Sequence, residues 1–394
     1  MNIIELLTGP YAAIRLTQRL VSSGGDGSKI YPPTFEGGVY CFEDRRIGGT
    51  SVPCVLLDSV ASCANRQEEA IGELVETGQI EVPHFRTDFS AFPEIGEVTT
   101  FTAPHRVFDA IFRDSELEGK PFSKHPLYTE LARANTQNAT ALFAHAPTAL
   151  LFGAWDSTGS GGGLGNKFAR VLVSEIVGVQ VDRGETRGGV RVDPLAISSK
   201  VEIEIDKDKD WKPKGLVDKA GKKDDRGKGT RPSEINHGNV LAKVDYEVSG
   251  DQRRSLKGGV TCDYALQYSV ITLAGLRRLR FPLEGKRDPK VDDAGRAVLA
   301  ALGLVALTTT RDRGYALRSR CDLVASGVNK FEILGQEGNS DEQALTAREA
   351  IGLYKEAVAH AKKVGLPWEP SPKQMKPQPK LSKLITLSRE AGVE

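Results

Sequence analysis

The stretch FGAWDSTGSGGGLGNKFARVLVSEIVG, from Phe152 to Gly178, constrains this chain more than any other. Gly159, Gly161, Gly162, Gly163 and Gly165 crowd into one short loop between two apolar runs. Glycine tolerates positive φ and lets the backbone come close to a ligand. The run before the loop, TALLFG, reads as a strand. The run after it reads as an amphipathic helix, because Leu164, Phe168, Leu172 and Ile176 recur at i, i+4. Lys167, Arg170 and Ser174 then fall at i, i+3, i+7 on another face. A glycine loop opening onto a helix start offers free N–H groups and a positive dipole end, which suits phosphate. A structural strand-to-helix connection would carry the same glycines.

Three familiar glycine-loop chemistries are excluded by the letters. A P-loop needs Gly-Lys-Ser/Thr, and here Asn166 separates Gly165 from Lys167, with Phe168 following. The dinucleotide fingerprint needs glycines at i, i+2 and i+5, and no register supplies them. A nucleophile elbow needs glycine two residues before its serine, where Ser157 has Trp155.

The formal net charge of +1 over 394 residues gives no global polyanion signature, so any nucleic-acid surface must be a local patch. Cys41, Cys54, Cys63, Cys262 and Cys321 are scattered and form no CxxC pair. This argues against a zinc site and a disulfide framework, and for a reducing, cytoplasmic setting. The N-terminus reads as mature chain, with acidic Glu5 where a signal peptide has cations. No apolar run approaches a membrane span.

Elsewhere, GGVYCF and SVPCVLL read as strands. Asp58 is placed to cap the helix SVASCANRQEEAIGELVE, whose buried face is Val60, Ala64, Ile71, Leu74 and Val75. EVTTFT reads as a strand, and Pro104 opens the helix PHRVFDAIFRD. That helix buries Val107, Phe108, Ile111 and Phe112 and leaves Arg106, Asp109 and Arg113 outward. A helix is expected around Tyr128 to His145, and strands near Val177 to Val181 and Ala196 to Ile205. The stretch Asp206 to Arg231 is charged and rich in glycine and lysine, a long mobile loop or extended hairpin. SEINHGNVLAKVDYEV reads as a strand after a turn containing His237 and Asn239, and spacing identifies no partner that would make His237 a general base. TCDYALQYSVITLAGLRRLRF has near-helical apolar spacing at Leu266, Val270, Leu273, Leu276 and Leu279. A helix from about Asp292 to Leu302, strands near Val305 and from Tyr315 to Leu323, a helix from Glu342 to Lys362 and an extended, proline-rich basic tail complete the chain. Strands and helices mix without a regular βαβα rhythm, so the expected fold class is α+β, with helices against an antiparallel sheet and long insertions.

The segments LDSVASCANRQEEAI, FTAPHRVFDAIFRDS, the glycine-loop stretch and PSEINHGNV, in that order, resemble the backbone subunit of type I-G (formerly I-U) CRISPR surveillance complexes. This is the Cas-seven family of the RAMP superfamily, and the resemblance spans roughly Leu57 to Arg320. It implies an RRM-like, ferredoxin-like palm with an antiparallel sheet in a hand-like architecture. Residues 1–340 would form that domain, with the charged arm at about 206–231, a C-terminal helix at 341–366 and the tail at 367–394. It also implies a subunit that polymerises along guide RNA and holds it by its sugar-phosphate backbone. The partners would be guide RNA, target DNA by way of the guide, further copies of the chain and other effector subunits. No catalysis, metal or cofactor is expected, and no membrane.

Carried onto this sequence, the guide contacts would be Asn65, Arg66, Trp155, Ser157, Thr158, Lys167 and Arg170, with the loop glycines Gly161, Gly162 and Gly163. His105 and Arg106 are further candidates. Competing explanations stand beside three of them: an ion pair of Arg66 with Glu69 or Glu73, Trp155 as core, and His105 as a structural polar group. Two other functional classes stay open. One is an RNA-guided, metal-dependent endoribonuclease using Asp206, Asp208 or Asp210. The other is a protein-binding scaffold built on the charged arm.

Overall fold

Ile14, Leu16, Gln18 and Leu20 alternate with more exposed residues along the strand Tyr11–Ser22, the period a sheet with one covered face requires. The computed structural model describes residues 2–156, 167–184, 193–205, 210–216, 231–235, 237–238, 246–249, 252–255 and 258–392. Tyr11–Ser22 lies inside an antiparallel sheet whose neighbours run, in order, Tyr315–Arg318, Cys321–Ala325, Tyr11–Ser22, Val260–Thr272, Leu172–Arg183, Thr50–Asp58 and Phe42–Ile47. Lys330–Gly335 pairs with the other end of Tyr11–Ser22 and is itself paired by Ser340–Ala344. The protein is mixed α+β with antiparallel sheets, as its irregular alternation of elements predicts.

The covered face packs on the helix Pro289–Arg313, which is buried along almost its whole length. Its apolar residues run all round the helix, as a central helix needs. Gly303 lets it approach the sheet, since a Cβ there would stand 2.9 Å from Ile271 Cδ1. Val60–Glu76 and Ala347–Lys363 pack against this helix, the latter opened by a capping box between Thr346 and Glu349. Polar groups on the covered face satisfy one another. Ser174 and Ser269 meet at 2.5 Å, Gln267 donates to Ser174 at 3.1 Å, and the Tyr315 hydroxyl donates to Gln267 at 2.8 Å.

A second sheet gathers Gly96–Thr99, Phe85–Phe89, Lys373–Pro377, Ser115–Leu117 and Lys120–Pro121. Lys373–Pro377 runs parallel to Phe85–Phe89 and antiparallel to Ser115–Leu117, with Met375 buried. The tail is therefore partly a sheet strand, and the helix Pro379–Gly392 follows it.

Several sequence expectations are reversed. TALLFG is a buried helix, Thr148–Phe152, and the run after the glycine loop is the strand Leu172–Arg183. Val260–Thr272 is a strand, and Val305 lies in a helix. An i, i+4 recurrence fits a 3.6-residue period and a two-residue period alike, so Leu172 with Ile176, or Leu266 with Val270, does not separate helix from strand. The many β-branched and aromatic residues in both runs favour the strand. Ser59, not Asp58, caps Val60–Glu76 by accepting from the Ser62 N–H at 3.3 Å. PHRVFDAIFRD is broken into a 3-10 turn, Arg106–Phe108, and a short helix, Ala110–Arg113, because Asp109 caps the second piece. The run GGVYCF is not itself a strand; the strand Phe42–Ile47 begins at its last residue.

Candidate nucleic-acid interface

Gly153 has φ +84, and a Cβ there would lie 3.0 Å from both the Phe168 carbonyl oxygen and Arg170 Cγ. Only glycine fits this turn out of the buried helix Thr148–Phe152. The chain then forms a small antiparallel ribbon, with Ala154 opposite Phe168 and Trp155 opposite Lys167. Alternation buries Phe168 and turns Trp155 and Lys167 outward. Lys167 Nζ lies over the Trp155 ring, 4.0 Å from its centroid. The next residue, Asp156, is buried and accepts a hydrogen bond from the Tyr128 hydroxyl at 2.9 Å. Burial and that carboxylate raise the Tyr128 hydroxyl to about 12. Arg170 is exposed beyond Phe168.

The ribbon rests on a buried ion pair. Arg106, at φ +54, donates through Nε and Nη2 to the two Glu68 oxygens at 2.6 and 2.7 Å, and through Nη1 to the Gly153 carbonyl at 3.1 Å. Both side chains are buried. Burial pushes the Glu68 carboxyl up to about 7, against the opposing pull of Arg106 and Arg170. Arg106 therefore belongs to the frame of the site, and the outward row expected of Arg106, Asp109 and Arg113 does not form. Asp109 is buried and caps a helix, and Arg113 pairs with Asp114 at 2.7 Å.

His105 is exposed beside this pair, its N–H donating to Asp109 at 3.0 Å. Asn65 is exposed on Val60–Glu76, one turn before Glu68. Arg66 points elsewhere. Its Nε is 3.1 Å from the fully buried Asp58, and its terminal nitrogens reach the carbonyls of Ala316 and Leu317 at 3.4 and 2.5 Å. Its partner is thus neither Glu69 nor Glu73. Ser174, expected in the same row as Lys167 and Arg170, is buried against Ser269. Trp155 is 45% exposed and not core.

Ser157, Thr158, Gly161, Gly162 and Gly163 lie outside the described residues, as do Asp206, Asp208 and Asn239. Part of the charged arm forms the strand Trp211–Leu216, paired with Val201–Ile205, and the His237 ring packs edge-on to Trp211 at 5.7 Å. Asp210 Oδ1 accepts from the Trp211 N–H at 2.9 Å. Among the described residues, no three of His, Cys, Asp and Glu are grouped to hold a metal ion, and no helix is long and apolar enough to cross a membrane.

The sequence reading missed Glu68 and Gly153. Glu68 carried a signal: it falls between Ala64 and Ile71, inside the apolar stripe of its helix, where a carboxylate needs a buried cation. Gly153 was hidden by the reading of TALLFG as a strand.

The chain from Ile14 to Arg183 holds nearly all of these residues. Residues 14–183 match the family described as CRISPR-associated protein GSU0053 (Cas_GSU0053). The Cas_GSU0053 match takes in Asn65, the Glu68–Arg106 pair, the Trp155–Lys167 ribbon and Arg170, and covers less than half of the 394 residues. No curated protein matches the sequence. Among solved structures, the crystal structure of Csc2 from Thermofilum pendens is similar over 92% of this chain and 78% of that one, at 10% identity and a TM-score of 0.30.

Proposed function

We propose that the chain is a guide-RNA-binding backbone subunit of a CRISPR effector complex, of the type I-G kind its motifs resemble, with the antiparallel sheet serving as an RRM-like palm. The observation that carries this reading is the outward Trp155–Lys167 pair, with Arg170 beside it, at the foot of the glycine loop. A loop rich in glycine offers backbone N–H groups, and two cations flank its exit. This is chemistry for phosphate, and sequence-indifferent guide binding needs phosphate contacts more than base-edge readout. Base pairing by the guide can then carry specificity for target DNA, with copies of the chain and other effector subunits as neighbours.

In this reading Asn65, His105, Trp155, Lys167 and Arg170, with Ser157, Thr158 and Gly161 to Gly163, face the guide. Arg66 and Arg106 hold the frame. The subunit itself does no chemistry. Sequencing the nucleic acid that copurifies with the full chain tests this. Repeat-derived RNA of uniform length is expected, and a preparation carrying none, or only random fragments, sinks the proposal.

A further inference from the structure

Trp155 combines three properties that a merely structural tryptophan does not need. It is 45% exposed, whereas Trp368 is 7% exposed within the core. It is rigidly presented: Gly153 before it is packed too tightly for any side chain, and Asp156 after it is buried and bonded to Tyr128. It also carries a cation, Lys167 Nζ, 4.0 Å from its ring centroid.

We infer that Trp155 is a base-stacking seat, at which one unstacked nucleobase of single-stranded RNA lies on the indole face opposite Lys167 while Lys167 and Arg170 neutralise the adjoining phosphates. This rests on the RNA-binding reading above and adds to it a contact with the face of a base. Every base has a π-face, so a flat aromatic seat tolerates any sequence but rejects duplex, whose bases are already stacked. A residue whose main chain is held on both sides loses little backbone freedom when its ring is covered. The lysine serves twice, polarising the ring and supplying charge. Glu68 is buried and held by Arg106, and Asp156 is buried against the Tyr128 hydroxyl, so neither carboxylate is presented beside the outward cations.

The test compares two labelled single strands of equal length, one of ordinary RNA and one abasic along its backbone, binding to the full chain. Stacking on one aromatic ring corresponds to about 5- to 150-fold in affinity. W155L should therefore weaken binding of the ordinary strand about tenfold and leave the abasic strand unchanged. W155F should keep most of the affinity. The slope of log affinity against log salt should not change in W155L, because stacking releases no counterion. Fluorescence keeps the test decisive if W155L fails to fold. In a W211F background, the ordinary strand should quench tryptophan emission and the abasic strand should not, since Trp368 is buried.

Equal losses on both strands, or no loss and no quenching, overturn the stacking seat while leaving RNA binding standing. A parent protein that binds neither strand at low salt overturns the RNA-binding reading and the seat with it.

Discussion

Arg106 and Glu68, 38 residues apart in sequence, meet as a two-point ion pair at 2.6 and 2.7 Å in the interior. Removing one partner of such a pair strands the other charge. Arg106→Met should cost about 3–5 kcal/mol in unfolding free energy, read as a lower urea midpoint. A midpoint unchanged from the parent would mean the pair does not hold the ribbon in place.

The same pair sets a pH dependence. The Glu68 carboxyl is raised from 4.5 to about 7, chiefly by burial. Between those values the folded chain holds a proton that the unfolded chain has lost. The stabilising contribution is thus complete below about 4.5 and is lost as pH rises through about 7. Glu68→Gln should remove this slope, so the variant's stability should gain on the parent's between pH 5 and 8. Parallel curves across that range would contradict it.

His145 acts with the opposite sign. Burial lowers its pKa below the ordinary 6.5, with Lys373 adding to the effect. The unfolded chain then takes up the proton first, so stability present above 6.5 is lost as pH falls through the folded value. Because Nδ1 has no hydrogen-bond partner among the described residues, His145→Leu forfeits little. The variant should unfold less readily than the parent at pH 5 and about equally at pH 8, by thermal melts.

Lys167 and Arg170 are both exposed, so reversing their charges should spare the fold. The double variant Lys167→Glu with Arg170→Glu should keep the parental melting temperature. Its affinity for single-stranded RNA should fall at least tenfold, and its salt dependence should flatten as phosphate contacts are lost. Unchanged affinity in a folded double variant removes this ribbon from the RNA surface.

Arg66→Ala should destabilise the protein by about 3 kcal/mol, because Asp58 is fully buried and its remaining arginine, Arg318, stands 3.9 Å away. RNA binding by the folded fraction should change little. Loss of binding without loss of stability would return Arg66 to the RNA surface.

What could be read from the letters was local. Ala64, Ile71 and Leu74 mark the buried face of the 17-residue helix Val60–Glu76, which is long enough for a 3.6-residue period to be unambiguous. The α+β class came from the order of elements. The glycine loop, Trp155, Lys167 and Arg170 stood out as a group, but the contact of Lys167 with Trp155 depends on a ribbon that the helix reading of the second run excluded. Short runs such as TALLFG and LVSEIVG fit either element, and only their neighbours decide between them. The long-range pairs were out of reach for a different reason. Arg66 spends its donors on carbonyls 250 and 251 residues further on, and no local pattern encodes a partner at that separation.

The Tyr315–Arg318 strand ends the main sheet, and a terminal strand normally leaves main-chain groups free to recruit a foreign one. Here Arg66 already occupies the carbonyls of Ala316 and Leu317. Any chain trying to extend the sheet on that side must first displace a guanidinium anchored to a buried carboxylate. The sheet is thereby guarded against growth by strand addition at that end.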